Sequence, residues 1–548
     1  MDLILLHMLD GLAYAALLFL IAAGVSLTYG ARRLVNFTQG ALFVAGAVVT
    51  RALAGFVGFW AATVIATLLL GGIGFLLDKG LLRRLERRSE LVQAAATLGL
   101  GIALQGLLGL VGVGPGIGGF DASFAPYPLV NLLPLLPAGL VALGLRYWSG
   151  SLTNFKPVTV AVLGSGLAGL AGAVDAPFVG LHLSALADPL TAALAVWVIG
   201  GMDNPRGTLI AALVVGQAVA LGGVELPYLA MALVLMLRPR GLFGYGSTAT
   251  PGTPPTLAPL LVGARFPLYM LGAAALLVLA PLVVPDMGLD LVSAWLIWCL
   301  FAASLLLVSG LGGMTSLGHA AWFAIGAFVV SLSAASIGMV AAIFLAPLVV
   351  ILLALGLARM GTYRQGVHLM LLTVAVGETA RTVLALIGPV VVVRADWAAG
   401  AAPFFYLTLM LAGSGLALLW QLHASPFGFG LRAVRDQAIR AEALGINAER
   451  QRGLAFGAGA GLAGAAGGLF ALLTGGASAD LASLQTSFDG VAAILLGGIG
   501  SAVGPLIGGL GLTLAGAVPA DAAHLVEGLA VLAVVLAWPG GVMGGKRS

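Results

Sequence analysis

The side chains of this chain able to do polar chemistry are few, and they gather between Ser425 and Arg452. That segment, SPFGFGLRAVRDQAIRAEALGINAERQR, holds eight charged side chains in 28 positions, whereas charged residues make up 8% of the whole chain. Leu431, Val434, Ala438 and Ala441 fall on one face of a helical pattern, while Arg432, Arg435, Asp436 and Arg440 spread over the rest. Asp436 precedes Arg440 by four residues, the favourable order for a helical ion pair worth about 0.3–0.5 kcal/mol. Gly445 is placed to end the helix. The chemistry this pattern suits is recognition of a soluble protein surface. The plainer alternative is a basic loop that only holds topology, and the mixed charge over an apolar stripe favours the docking helix.

Catalytic patterns are missing elsewhere. The six histidines are scattered, and no HExxH, CxxC or nucleophile-elbow motif occurs. The single cysteine, Cys299, excludes a disulfide framework and a cysteine-ligated metal site. Three GxGxxG matches, starting at Gly114, Gly164 and Gly459, lack the strand–turn–helix unit and later acidic residue of a dinucleotide site. In a chain of 81 glycines they read as helix-packing faces. Gly540 to Arg547 approaches a phosphate-binding loop, but Arg547 stands where Ser or Thr is required. The chain is therefore expected to be no enzyme, to hold no cofactor or metal, and to bind no nucleic acid. Any ATP hydrolysis must come from another polypeptide.

Three polar residues within apolar runs are candidates for lining a path: Gln39, His319 and Glu378. Each has a plainer role open to it. Gln39 and His319 suit helix capping or an interhelical hydrogen bond. Glu378 and Arg381, three residues apart, can neutralise each other inside a bilayer.

The elements that must position these residues follow from composition. The 548 residues are 60% hydrophobic, with a mean hydropathy of +1.10, so the bilayer must be the solvent. Apolar runs recur at about 20 residues per span, predicting an all-α polytopic helical membrane protein with about 17–19 transmembrane spans. No basic stretch precedes the first apolar run, so the N-terminus reads as an uncleaved span. Basic clusters at Arg32/Arg33, Arg83–Arg88, Arg146, Arg238/Arg240, Arg265, Arg359/Arg364, Arg432–Arg452 and Lys546/Arg547 mark one side of the membrane, the cytoplasmic one, with Arg51 the exception at an expected outer turn. Counting spans between them places the N-terminus outside and the C-terminus inside.

The chain also repeats itself. NFTQGALFVAGA at 36–47 matches SLGHAAWFAIGA at 316–327, and GSGLAGLAGA at 164–173 matches GAGLAGAAGG at 459–468. VIGGMDNPRG at 198–207 matches LLGGIGSAVG at 495–504, and LRPRGLFG at 237–244 resembles AWPGGVMG at 537–544. Four matches in one order indicate two homologous halves. Residues 1–240 form the first and 267–548 the second, joined by a Gly/Pro/Thr/Ser-rich cytoplasmic linker at 241–266. An extra apolar run at about 267–284 supplies the crossing that gives both halves the same, parallel orientation.

Ser425-Pro-Phe-Gly428, Leu431-Arg-Ala-Val-Arg435 and Ala441-Glu-Ala-Leu-Gly-Ile-Asn447 closely resemble the cytoplasmic loop of the M-type permease subunit of branched-chain amino acid ABC importers. Thr315-Ser-Leu-Gly-His-Ala-Ala321, Thr373-Val-Ala-Val-Gly-Glu378, and Phe488-Asp-Gly490 followed by Leu496-Gly-Gly-Ile-Gly-Ser501 resemble the same subunit. Val35-Asn-Phe-Thr-Gln-Gly40 and Leu237-Arg-Pro-Arg-Gly-Leu-Phe243 are similar to the H-type partner. The resemblance implies both permeases fused in one polypeptide of a bacterial inner membrane. It implies cytoplasmic ATP-binding cassette ATPase subunits, an extracytoplasmic solute-binding protein and an amino-acid substrate as partners, besides membrane lipid. Arg432, Arg435, Asp436, Arg440, Glu442, Ala443 and Gly445 are then the expected ATPase-coupling residues. A passive channel or ion-coupled secondary carrier for a small polar solute is the alternative. One departure stands out: between Arg146 and Gly164 the first half has only YWSGSLTNFKP, without the Glu-Ala pattern of a coupling loop, so coupling is expected to be asymmetric.

Overall fold

A hydrocarbon solvent offers no hydrogen bonds, so each segment crossing it must satisfy its own backbone, and helices do so. The computed structural model describes residues 2–86, 88–110, 133–147, 156–177, 187–223, 225–244, 266–361, 366–392, 401–538 and 541–542. They form α1 (Asp2–Arg32), α2 (Gln39–Val57), α3 (Phe59–Leu77), α4 (Arg83–Leu85), α5 (Glu90–Leu110), α6 (Leu135–Tyr147), α7 (Pro157–Asp175), α8 (Ala187–Gly200), α9 (Pro205–Ala220) and α10 (Leu226–Leu237). There follow α11 (Phe266–Val278), α12 (Asp286–Leu305), α13 (Ala320–Ile337), α14 (Met339–Gly361), α15 (Val367–Ile387), α16 (Ala402–Ala424), α17 (Pro426–Ala443), α18 (Ala448–Thr474), α19 (Leu484–Gly497), α20 (Gly504–Ala515) and α21 (Ala520–Ala537). A π turn at Asp78–Leu82 joins α3 to α4, and another at Leu306–Leu311 prolongs α12. The described strands are two short ones, β1 (Val390–Val391) and β2 (Gly476–Ala477), paired antiparallel.

Twelve of the described helices are long and apolar enough to cross a membrane, and seven more apolar helices are shorter. The pairs α8/α9 and α19/α20 are among the shorter ones. Helices of 14 residues, such as α8 and α19, reach about 21 Å, short of a hydrocarbon core of about 30 Å. Each pair turns at a glycine held at positive φ, Gly201 at 106° and Gly498 at 110°.

By its contacts the chain divides into two compact units. One comprises Met1–Thr250 with Ala520–Leu529, and the other Pro251–Pro519 with Ala530–Ser548. In the first, α7 packs against α1, α2 and α3, while α9 packs on α1 and α8. In the second, α18 packs against α12, α13 and α14, while α20 packs on α12 and α19. The repeat read from the sequence is thus a repeat of packing partners. It extends to single glycines. A Cβ on Gly46 would strike the Gly169 carbonyl, and one on Gly326 the Gly464 carbonyl; Gly172 meets Phe43, as Gly467 meets Phe323, in the same way. The two ends also fold alike, with the Leu242 amide donating to the Ile199 carbonyl and the Val542 amide to the Leu496 carbonyl, both at 2.9 Å. Most of the linker at 241–266 and the first-half segment at 148–155 lie outside the described residues.

Backbone-to-backbone contact of this kind gives a test. Gly467→Ala is expected to cost about 2–3 kcal/mol through overpacking. Gly511→Ala, whose Cβ would enter open space, should be neutral or stabilising. Thermal unfolding of the detergent-solubilised variants checks both, and equal stability would mean the two helices separate freely at Gly467.

Candidate functional site

Two features of the second unit carry its polar chemistry. They are the hairpin of α16, α17 and α18, and the extended segment 314–319 between α12 and α13.

The hairpin is built from local signals. Ser425 accepts from the Gly428 amide at 3.2 Å and Pro426 occupies the first helical position, so α17 starts sharply. Gly445 at φ 82° closes it, with the Ile446 amide returning to the Ala441 carbonyl at 3.0 Å. Asn447 then caps α18 by accepting from the Arg450 amide at 2.8 Å. Leu431, Val434 and Ala441 are buried, and Val434, Ala441 and Ala448 share one apolar cluster with Ala438 at its edge. The expected stripe is the face that packs.

The polar face differs from expectation at two places. Gln437 leaves helical geometry (φ −154°, ψ 92°), so Asp436 and Arg440 are not one turn apart on a continuous helix. Asp436 instead accepts from Arg435 Nε at 2.8 Å, and the expected i,i+4 pair does not form. Arg435 itself turns inward: only 9% of its side chain is exposed, and Nη1 donates to the Gly310 carbonyl at 3.0 Å. Arg432 lies over the Phe429 ring at 4.6 Å and donates to the His423 carbonyl at 3.2 Å. Desolvation first, and then the like charge of Arg435, lower the Arg432 guanidinium from its ordinary value, with Asp436 opposing. Asp436, Arg440, Glu442, Ala443 and Gly445 stay exposed at the tip, as do the apolar Ile439 and Leu444.

The segment 314–319 is irregular backbone buried among helices, so its amides need partners from side chains. The Leu317 amide donates to Thr373 Oγ1 at 3.1 Å, and the Ala320 amide to Ser487 Oγ at 3.1 Å. His319 is fully buried, with Nε2 3.1 Å from Ser304 Oγ. That hydroxyl also donates to the Phe301 carbonyl at 2.6 Å. Segment 314–319 and Ala320 therefore tie α12, α15 and α19 together. The first unit repeats the device more simply: the Phe37 amide donates to Thr97 Oγ1 at 3.3 Å.

Gln39 and His319 occupy matching nodes. Gln39 sits where Gly24 and Gly164 meet, its Nε2 3.3 Å from where Gly164 would carry a Cβ; the Gly24 carbonyl is 3.1 Å from that point. In the second unit Ser304 replaces Gly24, and its carbonyl lies 3.0 Å from the Cβ position of Gly459. Both nodes are fully buried inside their own units. The Gln39 amide has no hydrogen-bond partner among the described residues. Glu378 receives Arg381 Nε at 2.8 Å, with 3% of the Glu378 side chain exposed and 22% of that of Arg381. That is an ion pair between neighbours on α15.

Several participants escaped the sequence reading. Thr97 and Thr373 stand at equivalent places in the two repeats, a signal that was present and unused. Ser304 and Ser487 left no such trace. Nor did the network at the end of α1, where Arg32 pairs with Asp78 and, at 2.7 Å, with Glu86, while Arg83 meets Asp78 at 3.0 Å.

The fold and this site define an all-α, multi-pass membrane protein. Residues 288–535, from α12 through most of α21, match the family model described as branched-chain amino acid transport system / permease component. That part of the chain is similar to a transport permease component, and the match leaves residues 1–287 out. No curated protein and no solved structure matches the chain.

The ion pair gives a second test. Glu378→Ala alone leaves a partly buried guanidinium and is expected to cost about 2–3 kcal/mol, less than a fully buried pair because Arg381 is partly exposed. The Glu378→Ala/Arg381→Ala double variant should recover part of that loss in a double-mutant cycle on unfolding. Additive losses would show that the two side chains are not coupled.

Proposed function

We propose that this chain is the transmembrane permease of an ABC importer for branched-chain or related amino acids, with two permease repeats in one polypeptide. One observation carries the reading: a capped, amphipathic hairpin helix, exposed at its tip, inside the region that matches the permease family. Phe429, Ile439 and Leu444 are 62%, 85% and 81% exposed in this otherwise charged segment. Apolar anchors ringed by charge are what a soluble protein surface can grip. On this reading the hairpin is cytoplasmic, separate ATP-binding cassette ATPases dock there and hydrolyse ATP, and an extracytoplasmic binding protein delivers the amino acid. The chain forms the path across a bacterial inner membrane, with the N-terminus outside and the C-terminus in the cytoplasm. An ion-coupled carrier would call for an ionisable group free to cycle near the midplane, and Glu378 is already engaged by Arg381.

The test is capture of the ATPases encoded beside the gene by the purified chain. Ile439→Asp and Glu442→Arg are expected to reduce capture by tenfold or more, about 1.4 kcal/mol each, without loss of folded protein. Solute uptake by proteoliposomes holding the chain alone, without ATP, would overturn the importer and favour a channel or carrier.

A further inference from the structure

Arg435 is the side chain by which α17 holds something other than its own stems. The remaining polar ties of α17 run to the flanking helices of the hairpin: Arg432 to His423 on α16, and Arg452 on α18 to the Val434 carbonyl at 3.3 Å. Arg435 reaches across to α12. Its Nη1 binds the Gly310 carbonyl, and its stem lies on Gly313, where any Cβ would collide with Arg435 Cγ. Gly313 holds a left-handed φ of 65°, so the glycine there serves both the backbone and the arginine.

What Arg435 grips is an unusual piece of backbone. Gly310 lies in the π turn Leu306–Leu311, packed on its other side against the Ile499 carbonyl, 3.0 Å from the Cβ position of Gly310. A π turn carries one residue more than the α-helix around it and can relax by a one-residue register shift, which gives it two discrete states. Directly beyond it run segment 314–319, hydrogen-bonded to α12 and α15, and the first residue of α13, Ala320, hydrogen-bonded to α19. A displacement of α17 thus has a short bonded route into three helices of the unit.

The first unit has the same position filled differently. Arg33 matches Gly313 in the repeat and holds φ 56°, the single non-glycine at positive φ among the described residues. Its own guanidinium pairs with Asp203 at 2.6 Å and lies 5.5 Å from the Tyr29 ring centre. Here α1 runs as regular α-helix to Arg32, which is fastened to Asp78 and Glu86. In the second unit an arginine from α17 grips the π turn that prolongs α12; in the first, α1 ends as regular helix and its Arg32 is latched to Glu86 and to Asp78, the first residue of the π turn between α3 and α4.

We propose that Arg435 is a transmission strut, a positioning residue that passes movement of α17 to the π turn and segment 314–319, while the Arg33–Asp203 and Arg32–Asp78–Glu86 pairs keep the matching end of the first unit static. The proposal rests on the docking reading of the hairpin. It assigns the power stroke to the second unit.

The experiment combines hydrogen exchange on the full-length chain in lipid nanodiscs with ATPase capture and ATP hydrolysis by the reconstituted complex. Arg435→Ala is expected to speed amide exchange across 312–319 about tenfold, the equivalent of one lost charge-assisted hydrogen bond. It should also abolish the permease-dependent change in ATP hydrolysis while the ATPases remain bound. Arg435→Lys, which keeps a donor for the Gly310 carbonyl, should restore most of both, and the exposed Arg440→Ala should leave exchange at 312–319 as in the parent. Unchanged exchange in Arg435→Ala, with capture intact, overturns the strut alone. Capture lost together with hydrolysis makes Arg435 a docking residue and also overturns it. A parent chain that binds no ATPase overturns the docking reading and the transmission with it, and is told apart because capture fails before any substitution.

Discussion

Everything in the second unit hangs on how six residues of irregular backbone are satisfied deep among apolar helices. Segment 314–319 holds amides that regular helix bonding does not satisfy and lipid cannot. Thr373 and Ser487 reach in to accept from Leu317 and Ala320, and the His319–Ser304 pair closes the remaining side. Because each partner sits on a different helix, satisfying the backbone also fixes how those helices pack. The first unit meets the same demand through Thr97 and Phe37.

Small residues make this possible. Helices that present Gly169 to Gly46, or Gly464 to Gly326, approach until backbone touches backbone, which gives dispersion contact where no hydrophobic force operates between helices. The abundance of glycine is therefore structural, and the phosphate-loop lookalikes at Gly164 and Gly459 lie inside α7 and α18. Gln39 and His319 sit within the same close packing, Gln39 where Gly24 meets Gly164 and His319 beside Ser304.

The two units differ where the proposed mechanism needs them to. A π turn, a left-handed glycine and an inward arginine coincide at one end of the second unit, and ion pairs occupy the matching end of the first. These residues lie outside the segment near Arg146 whose missing Glu-Ala pattern suggested asymmetric coupling. Arg33 and Gly313 are aligned in the repeat, yet only their shared positive φ reveals that one fills with its own side chain the place that the other leaves for Arg435.

Much was legible in the sequence because it depends on local rules. Hydropathy alone required helices, the order of Gly-rich motifs implied the repeat, and Gly445 marked the end of α17 before any coordinates. Helix caps and apolar stripes involve neighbours within a turn or two, so composition and spacing suffice. Tertiary structure decided the rest. The kink at Gln437 cancels an ion pair that spacing favoured, and Arg435 leaves the surface for the Gly310 carbonyl. That last contact joins groups more than a hundred residues apart along the chain, and no local pattern encodes which distant carbonyl will be left without a donor.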